Sequence, residues 1–134
     1  KILNTFVFTP LYFFFFMHPY ISIANQWFDA FNRHDLEALL ALYDDNASHY
    51  SPKLKIHQPE TEGLIKGKAQ LRAWWKDAFE RLPALQYEPL VILHNEHCLF
   101  FEYLRHTPLE ATMQIAEKLE LRDGKIIASR VYHS

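Results

Sequence analysis

The apolar residues near the beginning of the chain recur at helical spacing. Between residues 23 and 31 they lie three or four positions apart, which predicts an amphipathic helix. Asp35 supplies an N-cap for a second helix, whose apolar stripe runs on to Tyr43. The two segments predict a helical hairpin that ends at residues 44–46. The stripe of the first helix consists of Ala24, Trp27, Phe28 and Phe31.

The middle of the chain combines one short strand, a polar segment and a third helix. Residues 47–51 alternate in polarity and are followed by Pro52, which predicts a short strand that stops there. The segment 52–66 holds two prolines among mixed polar residues, so we expect a loop across the mouth of a barrel. After Gly67 the apolar spacing is again helical, and Pro83 ends this third helix.

The final third of the chain has the pattern of β-strands. Apolar and polar residues alternate there in several runs that are separated by turn-prone pieces. Short connections between consecutive strands imply an antiparallel meander, and helices covering one face of such a sheet predict an α+β fold. The runs are residues 85–93, 97–106, 111–122 and 125–133.

The composition is that of one well-packed domain. The chain has 134 residues, of which 49% are hydrophobic and 16% aromatic, so a single substantial core is expected. Its formal charge of -2 provides no basic field that would gather nucleic acid, so no nucleic-acid partner is expected. Cys98 is the only cysteine, which excludes an intrachain disulfide.

Residues 1–19 differ from the rest because they form an aromatic tract with almost no charge. Lys1 and the apolar stretch imitate a signal peptide, but cleavage after Ala24 would remove the start of the first helix. Pro10 interrupts a stretch that is short for a membrane span, so no membrane partner is expected. We interpret these residues as an extension or an added arm on a cytoplasmic domain over residues 20–134.

The patterns predict eight elements in the order α, α, β, α, β, β, β, β, and four short sequence features occur at matching points along this order. They are the segment 32–36 (NRHDL), the segment 44–47 (DDNA), the helix led by Gly67, and the segment 123–126 (DGKI). In this order the chain resembles the NTF2-like superfamily, and particularly its SnoaL-like branch of ketosteroid isomerase-like and polyketide cyclase-like domains. The resemblance spans about residues 20–134.

The resemblance implies a cone-shaped α+β barrel around a pocket for a small hydrophobic or aromatic molecule, with no cofactor. It implies either a cofactor-independent isomerase, cyclase or dehydratase, or a noncatalytic ligand-binding or dimerisation domain. It also implies a homodimer through the outer face of the sheet, where Leu104 and Ile126 are expected.

Glu117 is the strongest chemical signal in the chain. It falls on the apolar face of the run 111–122, where a carboxylate is costly to ionise. It is therefore either paired with a base such as Arg105 on the neighbouring strand, or it has a raised pKa and a role in a site. The other residues of that face are Met113, Ile115, Leu119 and Leu121.

Two histidines are candidates for moving protons near neutral pH. His133 shares one side of the last strand with Ser129 and Val131, and the resemblance implies that this side faces the pocket. The alternative for His133 is a solvated terminal residue. His49 alternates with Ser51 on the short strand, and it is either a base or a hydrogen-bonded wall residue.

The resemblance to ketosteroid isomerases is incomplete at the polar positions. Ser51 stands before the proline where that family has its carboxylate base, which argues against steroid-isomerase chemistry. Trp27 and Trp75 stand where that family has tyrosines, and Glu117 is the nearest match to its carbonyl-polarising acid. Arg105 could pair with Glu117 or hold an anionic ligand. The wall residues that the resemblance implies are Trp27, Trp75, Phe101, Tyr103 and Arg105.

The eight histidines raise the question of a metal site. Their densest cluster is the segment 94–97 (HNEH), in an apparent hairpin turn where neighbouring side chains diverge, so no metal is expected there. The Asp, Arg, Asp arrangement of the epoxide-hydrolase branch lacks a second inward carboxylate in this sequence.

Overall fold

The computed structural model describes residues 18–133. Residues 1–17 of the aromatic tract lie outside this range, so the predicted N-terminal extension falls almost entirely outside the described residues. The helices and strands, in chain order, are α1 (Pro19–Asn32), α2 (Leu36–Ala41), β1 (Tyr43–Tyr50), α3 (Pro52–His57), a 3-10 turn (Pro59–Thr61), β2 (Leu64–Lys66), α4 (Lys68–Arg81), β3 (Gln86–His94), β4 (Cys98–Thr107), β5 (Glu110–Arg122) and β6 (Lys125–Tyr132). Within the described residues, no helix is both long and apolar enough to cross a membrane.

One mixed sheet of six strands, in the order β2-β1-β6-β5-β4-β3, forms the body of the fold. Neighbouring strands are antiparallel except β1 and β6, which run parallel. Helix α1 packs on β3 and β4, and α4 packs on β1 and β2. The predicted α+β class, with helices against a mainly antiparallel sheet, is confirmed.

Both predicted N-terminal helices are confirmed, and each begins at a capping side chain. Nδ1 of His18 accepts from the backbone N–H of Tyr20 over 3.1 Å, and Pro19 takes the first helical position, where its missing N–H costs nothing. In α2, the predicted cap Asp35 accepts from the backbone N–H of Ala38 over 3.0 Å. Helix α1 therefore starts earlier than its apolar stripe alone predicts.

Two predictions for the middle of the chain are wrong. Residues 44–46 do not end a helical hairpin but belong to β1, which begins where Tyr43 pairs with Ile126 of β6. The predicted loop at 52–66 contains helix α3, the 3-10 turn and strand β2. These elements are too short to show a period in the sequence, and α3 buries only Leu54.

The predicted C-terminal strands are confirmed to within one residue at each end. Strand β6 contains a bulge, because Glu120 pairs with Ala128 and Leu121 pairs with Ile126, which leaves Ile127 without a counterpart on β5. The extra residue reverses the alternation of side chains at this point. Ile126 is consequently fully buried, and its predicted place on the outer face is wrong.

An aromatic cluster fills the space between α1 and the sheet. Trp27 is fully buried, and its Nε1 donates to the Tyr43 hydroxyl over 3.0 Å. The ring centroid of Phe101 lies 4.7 Å from those of Trp27 and Phe28. Because rings in such contact leave no room for a ligand, this part of the barrel is core.

Candidate functional site

A cavity of about 190 Å³ lies beside the filled aromatic cluster, against the sheet and helices α3 and α4. Aromatic side chains from two helices, α1 and α4, and two strands, β3 and β4, form much of its wall. Such walls suit a flat or apolar ligand that is held by a few polar groups. The rings are those of Phe31, Trp74, Trp75, Tyr87 and Tyr103.

Glu117 lines this cavity and is only 2% exposed. The Tyr103 hydroxyl donates to Oε1 of Glu117 over 2.9 Å, whereas Oε2 has no hydrogen-bond partner among residues 18–133. Burial raises the pKa of Glu117 to about 8, although the Tyr103 hydrogen bond opposes that rise. The carboxyl group is therefore mostly protonated at neutral pH, and its Oε2 can donate a hydrogen bond.

The ion pair between Glu117 and Arg105, one of the two alternatives for Glu117, is not formed. Nη1 of Arg105 instead contacts Oε2 of Glu110 at 3.0 Å. The strand register explains this result, because Arg105 lies opposite Met113 whereas Glu117 lies opposite Phe101. A shift of four residues along a strand separates the two positions by about 13 Å, and both side chains project away from the sheet rather than toward each other.

His49 is buried on β1 beside the same cavity. The parallel register sets it opposite Ser129 of β6, and its Nδ1 lies 2.6 Å from the Ser129 hydroxyl oxygen. Burial lowers the pKa of His49 to about 4, so the ring is neutral near neutral pH. Within the described residues Nε2 has no hydrogen-bond partner, and it can accept a proton when Nδ1 carries the ring hydrogen.

Charged side chains stand where the cavity meets solvent. Nζ of Lys53 lies 2.7 Å from one carboxylate oxygen of Glu110, and Arg105 contacts the other. The side chains of Lys53 and Glu110 are 25% and 34% exposed, against 7% for Arg105. The Lys53 hydrogen bond is the main cause that lowers the pKa of Glu110. We call Lys53, Arg105 and Glu110 the cavity mouth, and His49, Tyr103 and Glu117 the cavity floor.

The structure brings most of the predicted site residues to this one cavity, where their roles stay predictions. The hydroxyl of Ser51 already accepts from the backbone N–H of Lys53 over 3.2 Å, as the cap of α3. His133 follows the end of β6 and also lines the cavity. The predicted residues on the cavity wall are His49, Ser51, Trp75, Tyr103, Arg105, Glu117, Val131 and His133.

Three predicted wall residues do not line the cavity. Trp27 and Phe101 face inward as predicted, but they belong to the filled aromatic cluster behind the wall. Ser129 is not on the cavity wall either, and its hydroxyl is hydrogen-bonded to Nδ1 of His49, which is on the wall. In this structure Trp27 and Phe101 therefore lie in the core rather than on the cavity wall, and Ser129 reaches the wall only through its contact with His49.

Several residues on the cavity wall escape the sequence patterns. Lys53 and His57 lie on α3, which was predicted as a loop. The alternation along β5 predicts that Glu110 points outward. The register between β4 and β5 shifts after Arg105, however, and this shift turns Glu110 toward the mouth. Tyr87 lies in β3, a strand that is mostly exposed, so the pattern of this strand gives no inward face.

The histidine-rich segment 94–97 lies at the connection between β3 and β4. Oδ1 of Asn95 accepts from the backbone N–H groups of His97 and Cys98, both at 2.8 Å, so this segment is a hairpin turn as predicted. Throughout residues 18–133, no group of three or more His, Cys, Asp or Glu side chains could hold a metal ion.

Comparison with known proteins identifies the family. A profile described as the SnoaL-like domain matches residues 24–129. A SnoaL-like protein of unknown function from Burkholderia thailandensis is 25% identical, with a TM-score of 0.74 over 84% of this chain and 92% of that one. A candidate polyketide cyclase from Sinorhizobium meliloti is 16% identical, with a TM-score of 0.71 over 87% of this chain and 100% of that one. TerC, co-crystallised with polyporic acid, is 16% identical, with a TM-score of 0.75 over 87% of this chain and 92% of that one.

No curated protein matches the chain in sequence. The structural neighbours include NTF2-like proteins, which confirms the predicted NTF2-like cone. The profile match covers most of the chain, from the first turns of α1 to the bulged strand β6. The chain therefore belongs to the SnoaL-like family.

Proposed function

We propose that the protein is a cofactor-independent proton-transfer enzyme of the isomerase, cyclase or dehydratase type, acting on a small hydrophobic substrate that carries a carbonyl oxygen. The observation that carries this proposal is the uncharged, buried carboxyl group of Glu117 with its Oε2 unpartnered beside the cavity. A buried polar atom without a partner costs free energy, and a ligand oxygen would remove that cost.

Glu117 serves in this proposal as the hydrogen-bond donor to the substrate oxygen. Its Oε1 is held by Tyr103, which fixes the carboxyl group and leaves the proton on Oε2. As a neighbouring carbon loses a proton, negative charge develops on the substrate oxygen, and a fixed donor in a dry site stabilises that charge. A carboxylic acid kept neutral by an apolar site is a known solution to this problem.

His49 serves as the base that takes the carbon-bound proton. Its hydrogen bond to Ser129 can hold Nδ1–H, which leaves the Nε2 lone pair for the substrate. A base with a pKa of about 4 is weak, so the reaction needs strong stabilisation of the anion on the opposite side. Glu117 provides that stabilisation, and the two groups act together. His133, which lines the same cavity, is the other candidate for moving a proton.

The cavity limits the size of the substrate. Its volume of about 190 Å³ somewhat exceeds that of an apolar cavity of about 150 Å³ that holds benzene. We therefore expect one ring with a short substituent to fit inside, with any further part at the mouth. The co-crystallisation of the relative TerC with polyporic acid supports a small-molecule ligand.

Dimerisation through the sheet is part of the same proposal. The outer face of β3 and β4 carries Leu93, which is 58% exposed, and the partly exposed Phe100 and Leu104. An apolar sheet face of this kind suits an isologous contact between two copies. Light scattering at micromolar concentration tests it, and a monomer would contradict it.

The test of catalysis is exchange of carbon-bound protons in deuterated water. The probe is 2-indanone, a compact neutral ketone, and NMR measures the loss of its α-proton signals. We expect the wild-type protein to accelerate exchange, and Glu117→Gln to lower that acceleration about a hundredfold, because an amide is a much weaker hydrogen-bond donor to a developing oxyanion than a carboxylic acid.

The matched control is Glu120→Gln, which changes the same residue type on the same strand but on the outer face. It should exchange protons at the wild-type rate. Equal rates in wild type and Glu117→Gln, or no exchange above the rate in buffer, would favour the alternative of a noncatalytic ligand-binding domain.

A further inference from the structure

The cavity carries an excess of positive charge at its mouth. Its wall includes the cations Lys53, Arg81 and Arg105 but only two carboxyl groups, those of Glu110 and Glu117. Arg81 is neutralised outside the cavity by Asp77, at 2.7 Å. Glu117 is buried without a cation and is mostly uncharged near neutral pH. Two cations at the mouth therefore share the single negative charge of Glu110.

Arg105 is unusual among these cations because only 7% of its side chain is exposed. A buried guanidinium is costly unless its N–H groups are paired, and it offers five of them in a planar fork. Glu110 contacts only Nη1, through a single oxygen at 3.0 Å. The positive charge of Arg105 also acts on the Tyr87 phenol, whose pKa it lowers against the effect of burial. Donors of Arg105 are thus left for a further acceptor on the cavity side.

Glu110 is suited to give way to such an acceptor. It is the first residue of β5, next to the exposed turn residues Pro108 and Leu109, and about one third of its side chain meets solvent. Its two oxygens divide between Lys53 and Arg105, so it does not form the bidentate pair in which Arg binds a carboxylate best. Glu110 occupies the place that a ligand carboxylate would take.

We propose that Lys53 and Arg105 form a carboxylate-binding subsite, so that the natural ligand of this cavity is a hydrophobic acid whose anionic group displaces Glu110. This inference rests on the proposed function, which places the reacting carbonyl group of the same ligand beside Glu117. Arg105 and Glu117 lie four residues apart on the same face of the sheet, about 13 Å along the strands, and their side chains project side by side into the cavity. A ring that bears a carboxylate on one side and a carbonyl substituent on the other, with a hydrogen bond at each end, bridges about this distance.

Benzoate and benzamide test the subsite, because the two molecules are nearly equal in shape and differ in charge. Calorimetry on the full chain measures the dissociation constant of each. We expect the wild-type protein to bind benzoate at least about tenfold more tightly than benzamide. Glu110→Gln should tighten benzoate binding about tenfold, because it removes the competing carboxylate, and should leave benzamide binding unchanged.

Lys53→Gln should weaken benzoate binding severalfold and weaken benzamide binding much less, because benzamide carries no charge. The control is Glu60→Gln, which removes an exposed carboxylate of the 3-10 turn that lines no part of the cavity. It should bind both molecules as the wild-type protein does. Circular dichroism of each variant confirms that it is folded.

Equal affinities for benzoate and benzamide, or no binding of either at millimolar concentration, would overturn the subsite. Weaker benzoate binding in Glu110→Gln would also overturn it, because Glu110 would then be a structural support of the mouth. The neutral ketone in the exchange assay separates the two proposals. Exchange without charge selectivity removes the subsite alone, whereas charge selectivity with no effect of Glu117→Gln on exchange removes the proposed catalysis alone.

Discussion

The two glutamates that strand β5 presents to the cavity differ in almost every physical property. Glu110, at the start of the strand, is partly exposed between two cations, and its pKa lies below the usual range, chiefly because Lys53 donates to it. Glu117 is buried on the same strand with one neutral donor, Tyr103, and burial raises its pKa to about 8. Near neutral pH the first is an anion and the second an acid.

This contrast teaches that position along one strand decides the chemistry of a carboxyl group. At the mouth, water and two cations stabilise the ionised form. At the floor, desolvation outweighs the single hydrogen bond from Tyr103, so the neutral form persists. One cavity therefore offers a charged end that can orient a ligand and a neutral end that can donate a proton.

The largest effect that tests this contrast is the pH dependence of stability due to Glu117. In the folded chain Glu117 keeps its proton up to about pH 8, whereas an ordinary glutamate releases it near 4.5. The unfolded chain thus binds fewer protons between these values, and Glu117 reduces the free energy of unfolding by about 1 kcal/mol for each pH unit. Its contribution is complete below about pH 4.5 and is lost as the pH rises through about 8.

Glu117→Gln should abolish this slope and be more stable than the wild-type protein at pH 8, by roughly 3 to 4 kcal/mol. Urea unfolding followed by tryptophan fluorescence at a series of pH values measures the difference. A difference that is constant with pH would mean that Glu117 is ionised in the folded chain, and the contrast with Glu110 would be lost.

His49 should produce the opposite slope over a lower pH range. Its folded pKa of about 4 lies below the ordinary value of 6.5, so the unfolded chain binds more protons between them. The contribution of His49 is complete above about pH 6.5 and falls by about 1 kcal/mol per pH unit on acidification. The same unfolding series on His49→Gln should reveal the Glu117 slope below pH 6.5, which His49 otherwise cancels. An unchanged curve would contradict a buried neutral His49.

Tyr103→Phe should have a smaller effect, which acts on the floor alone. Losing the hydroxyl leaves Oε1 of Glu117 without its donor, at a cost of about 1 to 3 kcal/mol near pH 6. The Tyr103 hydrogen bond lowers the pKa of Glu117, so the variant should titrate Glu117 above about 8. NMR of a side-chain-labelled glutamate measures this. A lower pKa would mean that another group sets the charge of Glu117.

The sequence could predict the floor because the floor depends on regular alternation. Glu117 lies in a long strand whose apolar residues have a period of two, so its burial follows from counting. The mouth could not be predicted in the same way. Lys53 lies on a six-residue helix that has no visible period, and Glu110 is turned inward by a shift in strand register. A bulge, which no composition signals, likewise moved Ile126 from the outer face to the core.

Glu110→Gln should have the smallest effect on stability and the opposite dependence on pH from the same substitution at Glu117. Ion pairs that are partly exposed contribute below about 1 kcal/mol, and the amide oxygen of Gln can still accept from Arg105. Because the folded pKa of Glu110 is lowered, its contribution is present above the ordinary glutamate pKa and disappears as the pH falls through the folded pKa. Unfolding curves should therefore show this variant slightly less stable than wild type near pH 7 and equal to it in acid, with the difference reduced by salt. A variant that is more stable near pH 7 would place Glu110 in the same uncharged state as Glu117, and the mouth would lose the one anion that holds its two cations.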